Sequence, residues 1–337
     1  GFGSNRRDWP YLMERAKRLG VPLEVARSGA EPHGSVYGHV SVTGRANVDL
    51  YDLASEMPEL RLNNLEELSE YLDIKRAKDF TNIKETDFAA HWHNPSKRRG
   101  LLRFCAERAE AALGCCKEVL DYLAQLSNIT GLPLDHVATA AVGFRVESYL
   151  ISQAQRFGAL IPSRVQRPYI PYAGAIVLQP EAGIHRDVAV LDFRSMYPNL
   201  MILYNISPDT YVPPERKVSP RDVSVAPGVG HRFMKEPAGF YRLALQNLID
   251  VRQEIRSELE KTSPGSVKYK VLDARQRAVK TVANASYGYA GWVGARWYAK
   301  PVAEATAAWG RDVITQSLNL ARQAKLKVIY GDTDSLF

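Results

Sequence analysis

The sequence predicts an α/β protein with at least two domains, and three features of the chain support this prediction. At 337 residues the chain is longer than one ordinary hydrophobic core accommodates. Long stretches repeat apolar residues at helical spacing, whereas short runs rich in Val, Ile and Tyr are typical of strands. Between two groups of such elements lies the stretch 159–185, whose four prolines exclude a helix and indicate a domain boundary.

The first half of the chain is predicted to be mainly helical. Residues 9–20 repeat apolar groups at helical spacing and end in glycine, a common helix stop. The alternating stretch 35–54, rich in Val and Tyr, predicts a β-hairpin. "NNLEELSEYL" (63–72) predicts a short helix capped by asparagine. Two long helices are expected over about 97–127 and 134–158.

After the boundary the pattern changes to strands separated by long helices. The apolar run "VAVLDF" (188–193) predicts a buried strand. Residues 238–261 and 265–290 predict two long helices around the turn "KTSPGS", and their polar faces carry many basic groups. A further helix over about 302–325 leads into a last strand, "KVIYGD" (327–332).

Composition limits the function classes. The formal net charge of +7 and the pI near 9.2 favour a polyanionic partner. No run of about 18 apolar residues predicts a membrane span, and no signal peptide is recognisable. Cys105, Cys115 and Cys116 share one predicted helical stretch without a paired metal-binding spacing, which predicts reduced thiols in a cytoplasmic protein and no zinc site on them.

Three aspartates lie at predicted strand ends. Asp192 ends "VAVLD", and Asp332 and Asp334 end "KVIYGDTD". Residues i and i+2 of a strand share a face, so the last two carboxylates are expected to point the same way, and strand pairing would bring Asp192 to them. Such a cluster suits Mg²⁺, and two ions about 4 Å apart would activate an attacking hydroxyl and hold a leaving phosphate oxygen. The alternative for the last two is a polar hairpin turn.

A basic stripe lies on the two predicted helices before the last strand. Spacings of three and four place four residues on one face of the second helix: Arg277, Lys280, Asn284 and Tyr287. Arg252 and Arg256 share a face of the preceding helix. Cations beside an aromatic ring suit a triphosphate with a stacked base. The alternative is a solvated basic face.

The stretch "DFRSMYPNL" (192–200) joins a strand end to a turn and a helix start. Free backbone N–H groups at a helix start hold phosphate oxygens. Tyr197, five residues after Asp192, offers a ring able to block a sugar 2′-hydroxyl, or else serves as a core tyrosine. The sequence leaves both roles open.

Taken together, these stretches resemble the family B DNA polymerases, most closely the archaeal replicative type. "DFRSMYPNL" resembles motif A of that family, "KTVANASYGY" (280–289) motif B, and "YGDTDS" (330–335) motif C, in the family's order and spacing. "PYAGA" (171–175) is similar to the linker between exonuclease and polymerase domains, and "GRANVDLYDLA" (44–54) to a stretch of the exonuclease domain. The resemblance covers nearly the whole chain.

The resemblance implies a multidomain layout. Residues 1–160 would form a partial RNase H-like exonuclease domain, and 161–237 the linker and the first part of a palm built on an antiparallel sheet. Inserted helical fingers would follow over 238–290, and the second part of the palm over 291–337. The thumb is absent, so the resemblance implies a piece: either a gene fragment or one half of a split polymerase whose partner chain supplies the thumb.

The resemblance also implies roles for matching positions. Asp192 and Asp334 would be the principal ligands of two Mg²⁺ ions, and Asp332 would assist at the primer end. The remaining candidates would contact the incoming nucleotide: Tyr197 as the steric gate against ribonucleotides, Arg252, Arg256 and Lys280 at the triphosphate, Asn284 and Tyr287 at the nascent base pair, and the backbone of Ser195 and Met196 at the phosphates.

The implied function is template-directed DNA synthesis in replication. Its partners would be primer–template DNA, dNTPs, a sliding clamp and the chain that supplies the thumb, in the cytoplasm of an archaeal cell near the nucleoid. The alternative is a non-catalytic, polymerase-like scaffold that binds DNA or a replication subunit. The intact aspartate cluster favours the enzyme, because a scaffold has no physical need for clustered charges. A nuclease on an RNase H-like core lacks the acidic set that it would need.

The chain departs from the family pattern chiefly in the exonuclease half. Motif B has Ala285 where serine is usual, a small loss. Of the second exonuclease motif, Asn-x-x-x-Phe-Asp, only Asp8 remains. The third, Tyr-x-x-x-Asp, is represented by Phe104 and Arg108. Because two-metal hydrolysis needs converging carboxylates, this half is expected to fold but not to cleave DNA, with Arg108 pairing with Asp8.

Overall fold

The computed structural model describes residues 1–35, 38–55, 60 and 64–337. The chain divides into two compact units, Gly1–Ala141 and Val142–Phe337. Among the helices in the described ranges, none combines the length and apolar character that crossing a membrane requires.

The first unit is mostly helical. After a π-helical turn at Ser4–Asp8 its elements are, in order, α1 (Trp9–Leu19), β1 (His33–Gly34), β2 (Val40–Ser41), α2 (Leu50–Ala54), α3 (Leu65–Tyr71), α4 (Phe88–His93), α5 (Pro95–Thr130) and α6 (Leu134–Thr139). Two short 3₁₀ turns, at Ala77–Asp79 and Glu85–Asp87, lie between α3 and α4. The helices predicted over 9–20 and 97–127 are therefore confirmed as α1 and α5.

Capping residues explain where these helices begin and end. The Asn64 side chain accepts a hydrogen bond from the Glu67 N–H at 2.8 Å and starts α3, as predicted. Asn94 caps α5 in the same way. Gly20 ends α1 with φ 63°, a left-handed conformation that glycine adopts without steric cost. Local sequence signals thus set the boundaries of the main helices in this unit.

The hairpin predicted over 35–54 is only partly correct. β1 and β2 pair antiparallel, with His33 opposite Ser41. Residues 50–54 instead form α2, because the Asp49 side chain accepts from the Tyr51 N–H at 3.0 Å and caps a helix there. Residues 36–37 of the predicted hairpin, and residue 63 at the start of "NNLEELSEYL", lie outside the described residues.

One buried face of α5 forms the core of the first unit, where α5 packs against α3, α4 and α6. The buried apolar side chains recur at helical spacing: Leu101, Phe104, Ala111, Cys115, Val119, Leu123 and Leu126. All three cysteines are free thiols on this helix. Each fully buried large aliphatic side chain contributes roughly 1.5 to 3 kcal/mol to stability.

The second unit combines two small sheets with long helices. Its elements are α7 (Val142–Phe157), β3 (Leu191–Asp192), α8 (Met196–Leu203), β4 (Tyr211–Val212), β5 (Val223–Val225), β6 (Arg232–Met234), α9 (Phe240–Leu259), α10 (Val267–Gly291), α11 (Lys300–Gln323), β7 (Gly331–Asp332) and β8 (Ser335–Leu336). A further 3₁₀ turn lies at Pro220–Asp222. Two antiparallel three-stranded sheets have the orders β3-β8-β7 and β4-β6-β5.

The long helices predicted in this half are confirmed as α9, α10 and α11. α10 packs against α7, α8, α9 and α11, so it lies at the centre of the unit. Small residues on its buried face, including Ala274, Ala278 and Ala283, allow its neighbours to approach closely. No helix is found over 159–185, as the prolines predict.

Three more predicted elements differ from the structure. The last strand, predicted over 327–332, is a strand only at Gly331–Asp332, which is β7. The helix predicted over 134–158 is two helices, α6 and α7, because Ala140 is extended (ψ 131°) and interrupts it; α7 belongs to the second unit. The run 188–193 was predicted to be a buried strand, but only Leu191 and Asp192 pair, and Leu191 is 61% exposed. β3 is an edge strand, and its apolar side chains border an open cavity of about 780 Å³.

Candidate functional site

The sheet β3-β8-β7 places two of the three predicted aspartates on one face. Asp192 of β3 lies opposite Ser335 of β8, and Asp332 of β7 lies opposite the same Ser335. Directly opposed residues of antiparallel strands project their side chains to the same side of a sheet. Asp192 and Asp332 therefore flank Ser335 on a common face.

The third aspartate lies in the turn that joins β7 to β8. Thr333 and Asp334 form this turn, and Thr333 has φ 55°. The Phe193 N–H donates to the Asp334 carbonyl at 2.8 Å, which ties the turn to β3. The expectation that Asp332 and Asp334 are i and i+2 of one strand is wrong, because the chain reverses between them. The predicted alternatives are compatible: the hairpin turn itself carries a carboxylate of the cluster.

The Asp334 carboxyl lies within electrostatic range of the other two aspartates. Burial, followed by the charges of Asp192 and Asp332, raises the pKa of Asp334. The ammonium group of Lys280 on α10 acts in the opposite direction. Three carboxylates in mutual range cost free energy unless a cation offsets them. Their all-oxygen donor set is the kind that Mg²⁺ prefers, so the residues present fit this ion.

The start of α8 follows directly after Asp192. Ser195 adopts a left-handed conformation (φ 49°, ψ 49°), which is uncommon for a residue with a side chain. Its carbonyl accepts from the Asn199 N–H at 3.0 Å, and Met196, the first helical residue, is buried. The left-handed Ser195 turns the chain sharply from β3 into α8, which begins four residues after Asp192.

Two tyrosine rings join α8 to α10 beside this cluster. The rings of Tyr197 and Tyr287 stack, with centroids 4.2 Å apart. Burial, and next the charge of Asp334, raises the pKa of Tyr197, which places its phenol in range of the carboxylates. A Cβ added at Gly310 of α11 would lie 2.9 Å from the Tyr197 ring. Tyr197 is therefore held between α10 and α11 and is half-buried.

A cluster of arginines lies on α9. Burial, and then the charges of Arg256 and Arg194, lowers the pKa of Arg252. Arg252 donates to the Gln276 side chain at 3.5 Å, and among the described residues its buried Nε has no hydrogen-bond partner. A half-buried guanidinium beside two further cations is suited to bind an anion with several oxygens, such as a phosphate.

The predicted stripe on α10 is partly assembled. Lys280 and Asn284 are exposed and one turn apart, and Tyr287 lies one turn further, half-buried. Arg277 belongs to the same face, but its guanidinium pairs with Asp273 at 3.1 Å. The structure thus brings Lys280 near the aspartates and leaves Arg277 in a local i,i+4 ion pair, which contributes little to stability at an exposed position.

Three side chains that the sequence analysis did not single out lie around this site. Arg194 adds charge to the arginine cluster. Burial, and next the phenol of Tyr172, raises the pKa of Tyr287. Arg311 donates to the carbonyls of residues 173 and 174, at 2.7 and 2.6 Å. Tyr172 could have been singled out because it lies in "PYAGA". No sequence pattern predicts that Arg311 contacts that segment.

The first unit contains the residues expected at a decayed exonuclease site. Asp8 and Arg108 line one open cavity of about 630 Å³. The expected pairing between them is wrong: Arg108 pairs with Glu66, donates to the Thr81 carbonyl at 3.1 Å, and lies 3.6 Å from the Phe104 ring centroid. Asp8 instead pairs with its neighbour Arg7. Among the described residues, Glu66 rather than Asp8 is the carboxylate within ion-pair distance of the Arg108 guanidinium.

Comparisons with known proteins agree on one family. The family model described as DNA polymerase family B matches residues 132–337. DNA polymerase 2 of Aeropyrum pernix is 48% identical over 337 residues, which are 100% of this chain and 42% of that protein. A DNA polymerase of Archaeoglobus fulgidus is 41% identical over 339 residues, covering 100% of this chain and 42% of that protein.

A solved structure matches along the whole chain. The family B DNA polymerase from the hyperthermophilic archaeon Pyrobaculum calidifontis gives a TM-score of 0.91 at 49% sequence identity. The match covers 100% of this chain and 44% of that one. The chain therefore spans less than half the length of the relatives and of the structure that it matches.

Proposed function

The chain belongs to DNA polymerase family B, and from this membership we propose that it is part of an enzyme that performs template-directed DNA synthesis in replication. The primer 3′-hydroxyl attacks the α-phosphate of a dNTP, a new P–O bond forms, and pyrophosphate leaves. The substrates are primer–template DNA and dNTPs. A sliding clamp and a polypeptide that supplies the thumb are further partners in this proposal.

The placement of Asp192, Asp332 and Asp334 carries the proposal. Asp192 and Asp332 flank Ser335 on one face of the sheet, and burial, followed by the charges of those two aspartates, raises the pKa of Asp334. Asp192 and Asp334 would hold two Mg²⁺ ions, and Asp332 would orient the primer end. When bound, the ions supply activation of the attacking hydroxyl and neutralise charge on the leaving phosphates.

Basic groups on the helices bind the triphosphate in this proposal. Arg252 and Arg256 supply guanidinium donors, and Lys280 supplies a point charge on the side nearest to Asp334. The backbone N–H groups at Ser195 and Met196 approach the phosphate oxygens at the start of α8. These contacts fix the α-phosphate in line with the attacking hydroxyl, which is the main protein contribution to phosphoryl transfer.

Tyr197, Tyr287 and Asn284 shape the pocket for base and sugar. The Tyr197 ring is fixed between Tyr287 and Gly310, so it presents a rigid wall to the sugar. A rigid ring excludes a ribose because the additional 2′-hydroxyl would collide with it. Asn284, exposed one turn before Tyr287 on α10, lines the nascent base pair.

The proposed layout assigns the helical first part to an exonuclease-like domain that does not cleave DNA. The linker and first palm segment are 161–237, the fingers are 238–290, and the second palm segment is 291–337. The helix pair α9 and α10 supports the fingers assignment, and the antiparallel sheet β3-β8-β7 supports the palm. The pairing of Arg108 with Glu66 supports the loss of the exonuclease, because a cation stands where a carboxylate ligand belongs.

The experiment replaces the matching region of the Aeropyrum pernix polymerase with this chain and measures primer extension with Mg²⁺ and dNTPs. We expect extension, and a loss of at least about a thousandfold in kcat in Asp192→Asn and Asp334→Asn, because each removes a proposed metal ligand. Asp187→Asn is the matched control: Asp187 has φ 55°, a conformation that asparagine tolerates, and it lies five residues from Asp192.

Two results would contradict the proposal. Primer extension by the Asp192→Asn variant at the parent rate would show that this aspartate is not needed for catalysis. A folded chimera that binds primer–template but extends no primer would instead favour the non-catalytic scaffold. Far-UV circular dichroism on each variant shows whether a loss of activity reflects unfolding.

A further inference from the structure

Three side chains that commonly bind metals meet in the first unit, apart from the proposed polymerase residues. They are His39, Asp135 and His136, and one ligand atom from each lies within 4.8 Å of the other two. His39 directly precedes β2, and the other two lie in the first turn of α6. The proposed DNA synthesis gives none of them a role.

The cluster is largely removed from solvent. His39 is 1% exposed and Asp135 is 9% exposed. The His39 Nε2 lies 3.8 Å from the Asp135 Oδ2, and the centroids of the His39 and His136 rings are 4.7 Å apart. In a tetrahedral site with bonds near 2.1 Å, ligand atoms lie about 3.4 Å apart. Shifts of a few tenths of an ångström to about an ångström would bring the three atoms to that spacing.

Neighbouring groups orient two of these side chains. The His39 Nδ1 and the Ser35 hydroxyl are 3.2 Å apart, a contact that directs Nε2 toward Asp135. The backbone N–H of His136 donates to Asp135 Oδ1 at 3.1 Å, so the Asp135 Oδ2 is the oxygen that faces His39. Such outer contacts, which fix ring orientation and carboxylate rotation, commonly accompany metal ligands.

We propose that His39, Asp135 and His136 form a binding site for a divalent transition-metal ion of the Zn²⁺ class, with a fourth position for water. Two imidazole nitrogens favour Zn²⁺ over Mg²⁺, which prefers an all-oxygen, octahedral set. This distinguishes the site chemically from the aspartate cluster of the second unit. The site is independent of the proposed DNA synthesis.

The ion would act as a structural crosslink within the first unit. It would join the segment before β2 to the start of α6, which are about 100 residues apart in sequence. An ion that binds the folded chain but not the unfolded chain stabilises the fold by mass action. The metal should therefore raise the melting temperature as well as bind.

The test uses the full 337-residue chain carrying Asp192→Asn and Asp334→Asn, so that the second unit offers fewer carboxylates to the metal. The chelator-treated protein is titrated with Zn²⁺ in excess Mg²⁺ by calorimetry, and with Co²⁺ by visible absorption. We expect one site per chain, a Zn²⁺-dependent rise in melting temperature, and a Co²⁺ band near that of four-coordinate nitrogen and oxygen sites.

Substitutions assign the site to these residues. His136→Ala and Asp135→Asn should each weaken Zn²⁺ binding about a hundredfold or more and remove the Co²⁺ band. His93→Ala, at an exposed histidine of α4, is the matched control and should change neither. Equal affinity in the parent and in His136→Ala, or no binding by the parent, would overturn the proposal. If Asp135→Asn does not fold, His136→Gln provides the second variant, and circular dichroism in chelator confirms folding.

Discussion

The stacked rings of Tyr197 and Tyr287 connect the element that follows Asp192 with the helix that carries Lys280. Their planes are inclined by 27°. The phenol of Tyr172 lies close enough to influence the pKa of Tyr287, and Tyr197 is held by its contact with α11 at Gly310. The groups of α8 and α10 that we propose face the nucleotide are therefore fixed relative to each other by one half-buried aromatic contact, which can be tested by mutation.

Replacing Tyr197 tests sugar selection. In the chimeric polymerase, Tyr197→Ala should admit ribonucleotides by removing a clash, whereas the use of dNTPs should fall less. The measurement is the ratio of kcat/KM for dNTP over rNTP. A ratio that stays at the parent level would make Tyr197 only a packing residue.

A substitution that crowds the Tyr197 ring but leaves the tyrosine in place tests whether the position of the ring affects dNTP incorporation. Gly310→Ala should reduce dNTP incorporation, because the new Cβ would lie 2.9 Å from Tyr197 and 3.2 Å from Met196 in a buried contact. Overpacking of this kind costs about 1 to 3 kcal/mol. Gly288→Ala on α10 meets nothing within 4 Å and is the matched control, expected to retain activity and gain up to about 1 kcal/mol of stability. Equal activity in both variants would show that the ring position tolerates movement.

Replacing Lys280 tests the triphosphate contact. Lys280→Ala should raise the KM for all four dNTPs and slow chemistry. A lost charge-assisted contact costs on the order of 2 kcal/mol, or about thirtyfold in kcat/KM. Lys270→Ala, at an exposed position of the same helix, should leave kcat/KM unchanged. A thirtyfold loss for one dNTP only would point to base contact rather than phosphate contact.

The lowered pKa of Glu107 predicts that the free energy of unfolding of the first unit falls in acid. The Thr81 N–H at 2.8 Å, with Arg103 next, holds the pKa of this carboxyl at about 2, below its ordinary value of 4.5. Because the folded pKa is lowered, this stabilisation is present above pH 4.5 and is lost as the pH falls toward 2. Urea unfolding from pH 6 to 2.5 should show it. Glu107→Gln should flatten this dependence, and Glu110→Gln, exposed on the same helix, should leave it unchanged.

The domain that we propose to be exonuclease-like is expected to be inactive. In the full-length parent, a mismatched, labelled primer with Mg²⁺ and no dNTPs should stay intact, because Arg108 stands where a carboxylate ligand belongs and is engaged by Glu66. Arg108→Asp alone should not restore cleavage unless the acidic pair of the first exonuclease motif is present. Shortening at a rate typical of proofreading polymerases, abolished by Asp8→Ala, would contradict this expectation.

Local signals in the sequence determined much of the architecture. Periodicity and capping residues located α1, α3, α5, α9, α10 and α11, because a helix forms from contacts within one or two turns of chain. The motifs around Asp192, Lys280 and Asp334 likewise indicated the family, which the match of the family model to residues 132–337 confirmed, and the roles of these residues stay predictions. Because these features depend on residues close together in sequence, they can be predicted from the sequence alone.

Only the tertiary structure decided how the distant parts combine. The exposure of Leu191 depends on β3 being an edge strand, and the turn position of Asp334 depends on pairing with strands on both sides. Arg108 pairs with Glu66 rather than with Asp8, and His39 lies beside residues about 100 positions away in sequence. Packing, and not distance along the sequence, sets which of these side chains are in contact. Contacts between residues far apart in sequence follow from how helices and sheets pack around a core, which no local pattern encodes.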